Sequence, residues 1–174
     1  MQSSHALIRA AEDRDAPRLA EVHVAAWRAA YKDVMSAEYL ESLDIERSTS
    51  FWRRQISEPR PGVSQLVAET GDGVVGFAIV GPPRDDVAPG TGQLWAINLH
   101  PDSWGQGIGS KLFGAAEQLL RRLGYAAGYL WVEQGNDRAI RFYRGRGWPA
   151  DGASKVDVDT TPPLTENRHS RTFR

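Results

Sequence analysis

The sequence has 174 residues, 41% hydrophobic and 25% charged, enough chain for one globular domain with a sizeable core, and a single domain over 1–174 is expected. Its 21 basic and 22 acidic residues leave a formal net charge of -1, so no overall field gathers nucleic acid or an anionic membrane, and function has to reside in a site. The absence of cysteine excludes disulfides, thiolate metal ligands and a thiol nucleophile. Met1 to Ala10 lacks the basic n-region and apolar run of a leader, and no apolar stretch is long enough for a membrane span, so a cytoplasmic location is expected.

In chain order, a short strand at Ala6 to Arg9 precedes a helix in which Asp15 is placed to cap and Pro17 fits the first turn. Its apolar stripe runs through Leu19, Val22, His23, Ala26, Trp27, Ala30 and Tyr31. Helical segments follow at Ala37 to Leu43 and Ile45 to Ile56, ended by Pro59 and Pro61. Ser64 to Glu69, the turn Thr70-Gly71-Asp72-Gly73 and Val74 to Val80 read as a hairpin. After a loop rich in proline and acid at Gly81 to Gly90, a mostly apolar strand covers Gln93 to Leu99. A helix then carries Ile108, Leu112, Phe113, Leu119, Leu120 and Leu123 on one side and ends at Gly124. A buried strand at Ala127 to Val132, a helix capped by Asn136 and running to about Arg144, and terminal strands at Trp148 to Val156 and Leu164 to Phe173 complete an α+β chain around a mostly antiparallel sheet.

The strongest local signal is Gly105-Gln106-Gly107-Ile108-Gly109, set between a strand and an amphipathic helix. First-turn N–H groups have no intrahelical partner, and with the helix dipole they favour a phosphate or pyrophosphate. Glycines let the main chain approach such a group without an intervening Cβ. A dinucleotide fingerprint fails, because the third glycine comes one residue early and no βαβ unit with a ribose-binding acid follows. A Walker A loop fails too, because Ser110 separates Gly109 from Lys111. A plain chain-reversing turn is the remaining alternative.

These residues resemble the GNAT (GCN5-related) N-acetyltransferase family. The family's Arg/Gln-x-x-Gly-x-Gly/Ala signature lies over Trp104, Gly107 and Gly109, with Trp104 in place of the usual Arg or Gln. A second block, Leu130-Trp131-Val132-Glu133 through Asn136, Ala139, Phe142, Tyr143, Gly147 and Trp148, is similar to the family's Asn-x-x-Ala-x-x-Phe-Tyr segment. The resemblance implies a GNAT fold whose central sheet is splayed near Ile97 to Leu99 and flanked by about four helices. It implies acetyl-CoA as co-substrate, held by Trp104, Gly105, Gln106, Gly107, Ile108, Gly109 and Ser110, with the pantetheine arm beside Ile97 and Leu99 and a contact from Asn136. It further implies acetyl transfer to a primary amine of a small molecule or peptide, and a possible homodimer.

Acyl transfer from a thioester to an amine needs a neutral amine, an oxyanion stabiliser and a proton for the departing thiolate. A main-chain N–H around Ile97 to Leu99 is a candidate for the second role. Tyr143, where many family members place the general acid, is the candidate proton donor; otherwise it is a core tyrosine beside Phe142. Asn136 is a helix cap whether or not it also touches the cofactor. Trp27 and Tyr31, four apart on one helix face, either wall the acceptor pocket or belong to the core. The base is open: many relatives carry a glutamate where Gln93 stands, and an amide does not accept a proton at neutral pH. Glu133 is the nearest acid, on a strand end where it faces solvent, pairs with an arginine such as Arg138 or serves as base; an amine deprotonated through ordered water needs no carboxylate. The four histidines show no ligand spacing, so no metal is expected. A non-catalytic acyl-CoA-binding sensor is the alternative function.

Overall fold

The computed structural model describes residues 5–174; the first four residues of the stretch read as lacking a leader lie outside the described residues. The elements are β1 (Leu7–Ala10), α1 (Ala16–Tyr31), α2 (Ala37–Glu41), α3 (Ile45–Ser57), β2 (Ser64–Thr70), β3 (Gly73–Gly81), β4 (Thr91–Leu99), α4 (Ile108–Arg122), β5 (Ala127–Glu133), α5 (Asp137–Gly145), β6 (Ala150–Asp157) and β7 (Leu164–Thr172). Each lies within a few residues of its expected place, and among the described residues there are five α-helices, the five-residue α2 included. Asp15 does not cap α1 with its side chain. Its carboxylate instead accepts from Arg9 at 2.7 and 2.9 Å and from the Glu12 N–H at 2.8 Å, tying the end of β1 to the turn before the helix.

The strands form one sheet in the order β1-β2-β3-β4-β5-β7-β6. Every neighbouring pair is antiparallel except β4 and β5, which run parallel and register only over Thr91–Gln93 against Ala127–Tyr129. A bulge lies just beyond: Val80 pairs Leu94 and Ile79 pairs Ala96, leaving Trp95 unmatched. From there β4 follows β3 while β5 follows β7, so the two strands part near Ile97 to Leu99, where the splay is expected.

What closes the sheet on the near side of this gap is the pair Gly92 and Gly128, which face each other in the β4–β5 register. A Cβ on Gly128 would stand 2.5 Å from Trp148 and 2.9 Å from Phe173, and one on Gly92 would stand 2.6 Å from Tyr125. Bare main chain at this junction lets aromatic rings and Leu120 lie directly on it. The α4 face of the sheet buries Leu94, Ile108, Leu112, Phe113, Leu120, Leu130, Tyr143 and Trp148. The other face buries Leu19, Val22, Trp52, Val67 and Phe77 under α1 and α3. A smaller cluster of Met35, Leu40 and Leu164, with Trp27 and Tyr31 against it, docks α2 onto the segment entering β7. Each fully buried Leu, Ile or Phe contributes about 1.5–3 kcal/mol relative to exposure. Among the described residues no helix is long and apolar enough to cross a membrane.

Candidate active site

The mouth of α4 is built by backbone conformation. Gly105 and Gly107 take φ of 73° and 79°, and Gly107 is the helix N-cap. A Cβ at either would meet nothing within 4 Å, so the left-handed φ, not lack of room, calls for glycine there. A glycine cap supplies no side-chain acceptor, and the first helical bond runs from Lys111 N–H to the Gly107 carbonyl. The N–H groups of Ile108, Gly109 and Ser110 therefore remain for a ligand.

Guanidinium groups from α5 stand around that mouth. Arg146 lies over the Phe142 ring at 3.5 Å and donates to the Ser110 hydroxyl, while Arg138 lies over the Trp104 ring at 3.7 Å. Arg138, Arg141 and Arg146 all line a cleft of about 760 Å³ that runs from the α4 mouth to the splay. Burial lowers the Arg138 and Arg146 pKa values, yet arginine stays cationic. The Trp104 indole N–H donates to the Leu99 carbonyl at 3.0 Å. Trp104 thus braces the end of β4 and carries a guanidinium on its face.

The wall made by β4 has a defined phase. His100 N–H donates to the Val75 carbonyl at 2.8 Å, and Phe77 registers with Asn98. Main-chain groups alternate sides along an antiparallel strand, so Asn98 turns toward β3, whereas Ile97 and Leu99 turn their N–H groups toward the gap left by β5. Opposite them stand Tyr143 and Asn136 of the second motif. Tyr143 is 8% exposed, and burial, helped by the neighbouring Tyr31, holds its phenol above the usual tyrosine range. The Asn136 carbonyl oxygen accepts from Ala139 N–H at 3.2 Å, the expected cap.

Beyond the splay, on the α1 side, Tyr31 is pushed up to about 12, chiefly by burial and then by the fields of Glu166 and Glu133, with the Asn136 amide pulling the other way. Glu133 neither faces solvent nor pairs with Arg138: it is 5% exposed, and its Oε1 accepts from Gly135 N–H at 2.8 Å. Gln93 is 4% exposed, and its Oε1 accepts from Arg84 N–H at 2.9 Å and lies 2.9 Å from the Tyr129 hydroxyl. Tyr129 and Trp131 also donate to Asp85, at 2.7 and 3.0 Å, so the proline- and acid-rich loop is pinned on the sheet beside Gln93.

The acetyltransferase (GNAT) family profile matches residues 16–148, the stretch that holds the glycine-capped helix mouth and the strand that parts from its neighbour. The chain belongs to the GNAT acetyltransferase family. It is 32% identical over 137 residues to the uncharacterized N-acetyltransferase YuaI of Bacillus subtilis, covering 79% of this chain and 76% of YuaI. It is 31% identical over 155 residues to the probable N-acetyltransferase Rv2775 of Mycobacterium tuberculosis, covering 87% and 84%. PaiA N-acetyltransferase from Thermoplasma acidophilum, solved in complex with coenzyme A, shares the GNAT fold at a TM-score of 0.70 and 21% identity over 97% of this chain and 99% of its own.

Nine of the site residues read from the sequence line one cleft of this GNAT chain: Ile97, Leu99, Trp104, Gly105, Gly107, Gly109, Ser110, Asn136 and Tyr143. Gln106 and Ile108 instead border a neighbouring cavity of about 560 Å³; the Ile108 side chain is 1% exposed, which leaves its main chain to the cradle. Trp27 and Tyr31 pack on each other at 5.1 Å and against the third cluster, outside the lining of the main cleft. From the sequence Arg138 is read only as a partner for Glu133, and Arg141 and Arg146 are not singled out. Their only signal there is spacing, Arg138, Arg141 and Arg146 following the Asn136 cap.

Proposed function

We propose that this chain transfers the acetyl group of acetyl-CoA to a primary amine of a small molecule or peptide. The observation that carries this is continuity: bare N–H groups at the α4 mouth, Arg138, Arg141 and Arg146, and the outward main chain of Ile97 and Leu99 lie along one cleft that Tyr143 also lines. The fit to coenzyme A is chemical as well as spatial. The first-turn N–H groups and Arg146 suit a pyrophosphate, and the unpaired edge of β4 offers hydrogen bonds to an amide-bearing arm. Arg138 on Trp104 supplies a cation beside the position where the family signature has Arg or Gln.

Bound there, acetyl-CoA supplies an activated acyl carbon and a thiolate leaving group. The N–H of Ile97 or Leu99 is fixed in the strand before reaction, so it stabilises charge on the acyl oxygen without reorganising. Tyr143 keeps its proton at neutral pH and gives it to the departing sulfur. Its raised pKa weakens it as an acid in water, but the same burial raises the pKa of a thiol formed beside it, so the two shift together. Incubating the protein with acetyl-CoA and a panel of amines while following free thiol tests this function: amine-dependent thiol release is expected. One observation favours the sensor reading, namely that Gln93 is an amide locked between Tyr129 and Arg84. Coenzyme A binding with no thiol release from any amine decides for it.

A further inference from the structure

We infer that Glu133 is the base of this reaction, and that it selects a cationic amine with no carboxylate beside the amino group; the inference rests on the acetyl-transfer function proposed above. Glu133 ends β5 and lies in register with Glu166 of β7, so the two carboxylates share a face of the sheet. One oxygen of Glu133 is used by Gly135 N–H at 2.8 Å. The other, Oε2, is buried and has no hydrogen-bond partner among the described residues. An unpartnered carboxylate oxygen in a residue only 5% exposed is costly unless a donor arrives, and an ammonium is the donor that matches its charge. The carboxylate also sits against the cleft wall: Gly135 lines the cleft, and a Cβ placed on it would lie 3.2 Å from Oε2.

The groups around Glu133 come from four further elements. Tyr31 reaches in from α1 and feels Glu133, Glu166 and Asp157. Glu166 is held above the usual carboxylate range by burial, with Asp157, Asp85 and Glu133 adding to it and Lys155 opposing. Lys155 lies 3.9 Å from both Glu166 and Asp85. Arg168, the other nearby cation, is taken by Asp151 at 2.7 Å. Tyr143 touches the same group through Tyr31. Carboxylates thus outnumber free cations around Glu133, which attracts ammonium there and repels a substrate carboxylate.

The amine arrives as an ammonium; Glu133 takes one proton, later released to solvent, and frees the nitrogen lone pair. As the C–N bond forms and the C–S bond breaks, Tyr143 protonates the sulfur and is reprotonated by the nitrogen's second proton. One amide, one thiol and one solvent proton result.

The matched probes are 1,4-diaminobutane and ornithine, which differ by a carboxylate. Wild type is expected to acetylate the diamine with at least ~10-fold higher kcat/KM, and Glu166→Gln to shrink that ratio. Glu133→Gln keeps an acceptor for Gly135 N–H, so melting temperature and coenzyme A affinity stay put. Its kcat/KM falls about 100-fold at pH 7 and then climbs with the free-amine fraction, where wild type levels off. A Glu133→Gln enzyme with the wild-type rate and pH profile, a preference for ornithine, or no acetylation of either amine by protein that binds coenzyme A overturns the inference. If Glu133→Gln does not fold, the wild-type amine ratio and Glu166→Gln decide alone. Folded wild-type protein without coenzyme A affinity defeats the proposed function instead.

Discussion

Replacing Tyr143 by phenylalanine removes one hydroxyl and leaves the ring that packs against Phe113 at 5.7 Å, Phe142 at 5.5 Å and His169 at 6.1 Å. The ring contributes the packing, so Tyr143→Phe is expected to change stability by about 1 kcal/mol or less. In the proposed reaction the hydroxyl gives the proton, and a positioned acid accounts for about 10²–10⁴ in rate, or roughly 3–5.5 kcal/mol of barrier. The loss should fall on kcat, with KM for acetyl-CoA close to wild type, because the hydroxyl matters once the C–S bond breaks. Steady-state thiol release with a saturating amine measures this, and a urea melt of the same preparation checks the fold. A Tyr143→Phe enzyme with kcat within threefold of wild type refutes the proton-donor role. A matching collapse in stability would show that the phenol is held for the core.

Three further outcomes are expected. Gly128→Ala forces a Cβ to 2.5 Å from Trp148 at the β4–β5 junction, so a loss of about 1–3 kcal/mol should appear as a lower melting temperature. Arg138→Ala and Arg146→Ala should each weaken coenzyme A binding about 10-fold and flatten its salt dependence, because each removes a cation from the cleft mouth without touching the main-chain cradle, and calorimetry across a salt series reads both effects. Tyr31, Tyr129 and Tyr143 all have phenol pKa values raised in the fold, first by burial. Their stabilisation is complete below the unfolded tyrosine value and is lost as pH rises toward their folded values, so melting temperature should drop steeply above about pH 10, and Tyr143→Phe should soften that drop.

The sheet, the helices and the glycine-capped mouth of α4 were legible because each is written in short-range pattern. Alternating glycines opening an amphipathic helix leave few other readings for Gly105 to Gly109, and Asn136 announces its cap three residues ahead of Ala139. What escaped depends on distant partners. Asp15 obeys a local capping rule until Arg9, brought alongside by β1, takes its carboxylate. Arg138, Arg141 and Arg146 look like the solvated face of a short helix, and only the packing of α5 beside the α4 mouth makes them a cationic rim. Glu133, at a strand end, is open between solvent, an arginine partner and a base until the fold buries it in register with Glu166. Asp85, in a loop whose path the sequence leaves undetermined, becomes a fixed anchor once Tyr129 and Trp131 donate to it.

The central claim is that main-chain donors at the α4 mouth seat a diphosphate and aim the attached thioester along β4. Titration of coenzyme A into the purified protein by calorimetry tests it most directly. One site of about micromolar affinity, near 8 kcal/mol, weakened by salt and competed by inorganic pyrophosphate, is the result expected. Absence of binding heat at several temperatures, from protein that still melts cooperatively and shows no thermal shift with the ligand, would contradict it.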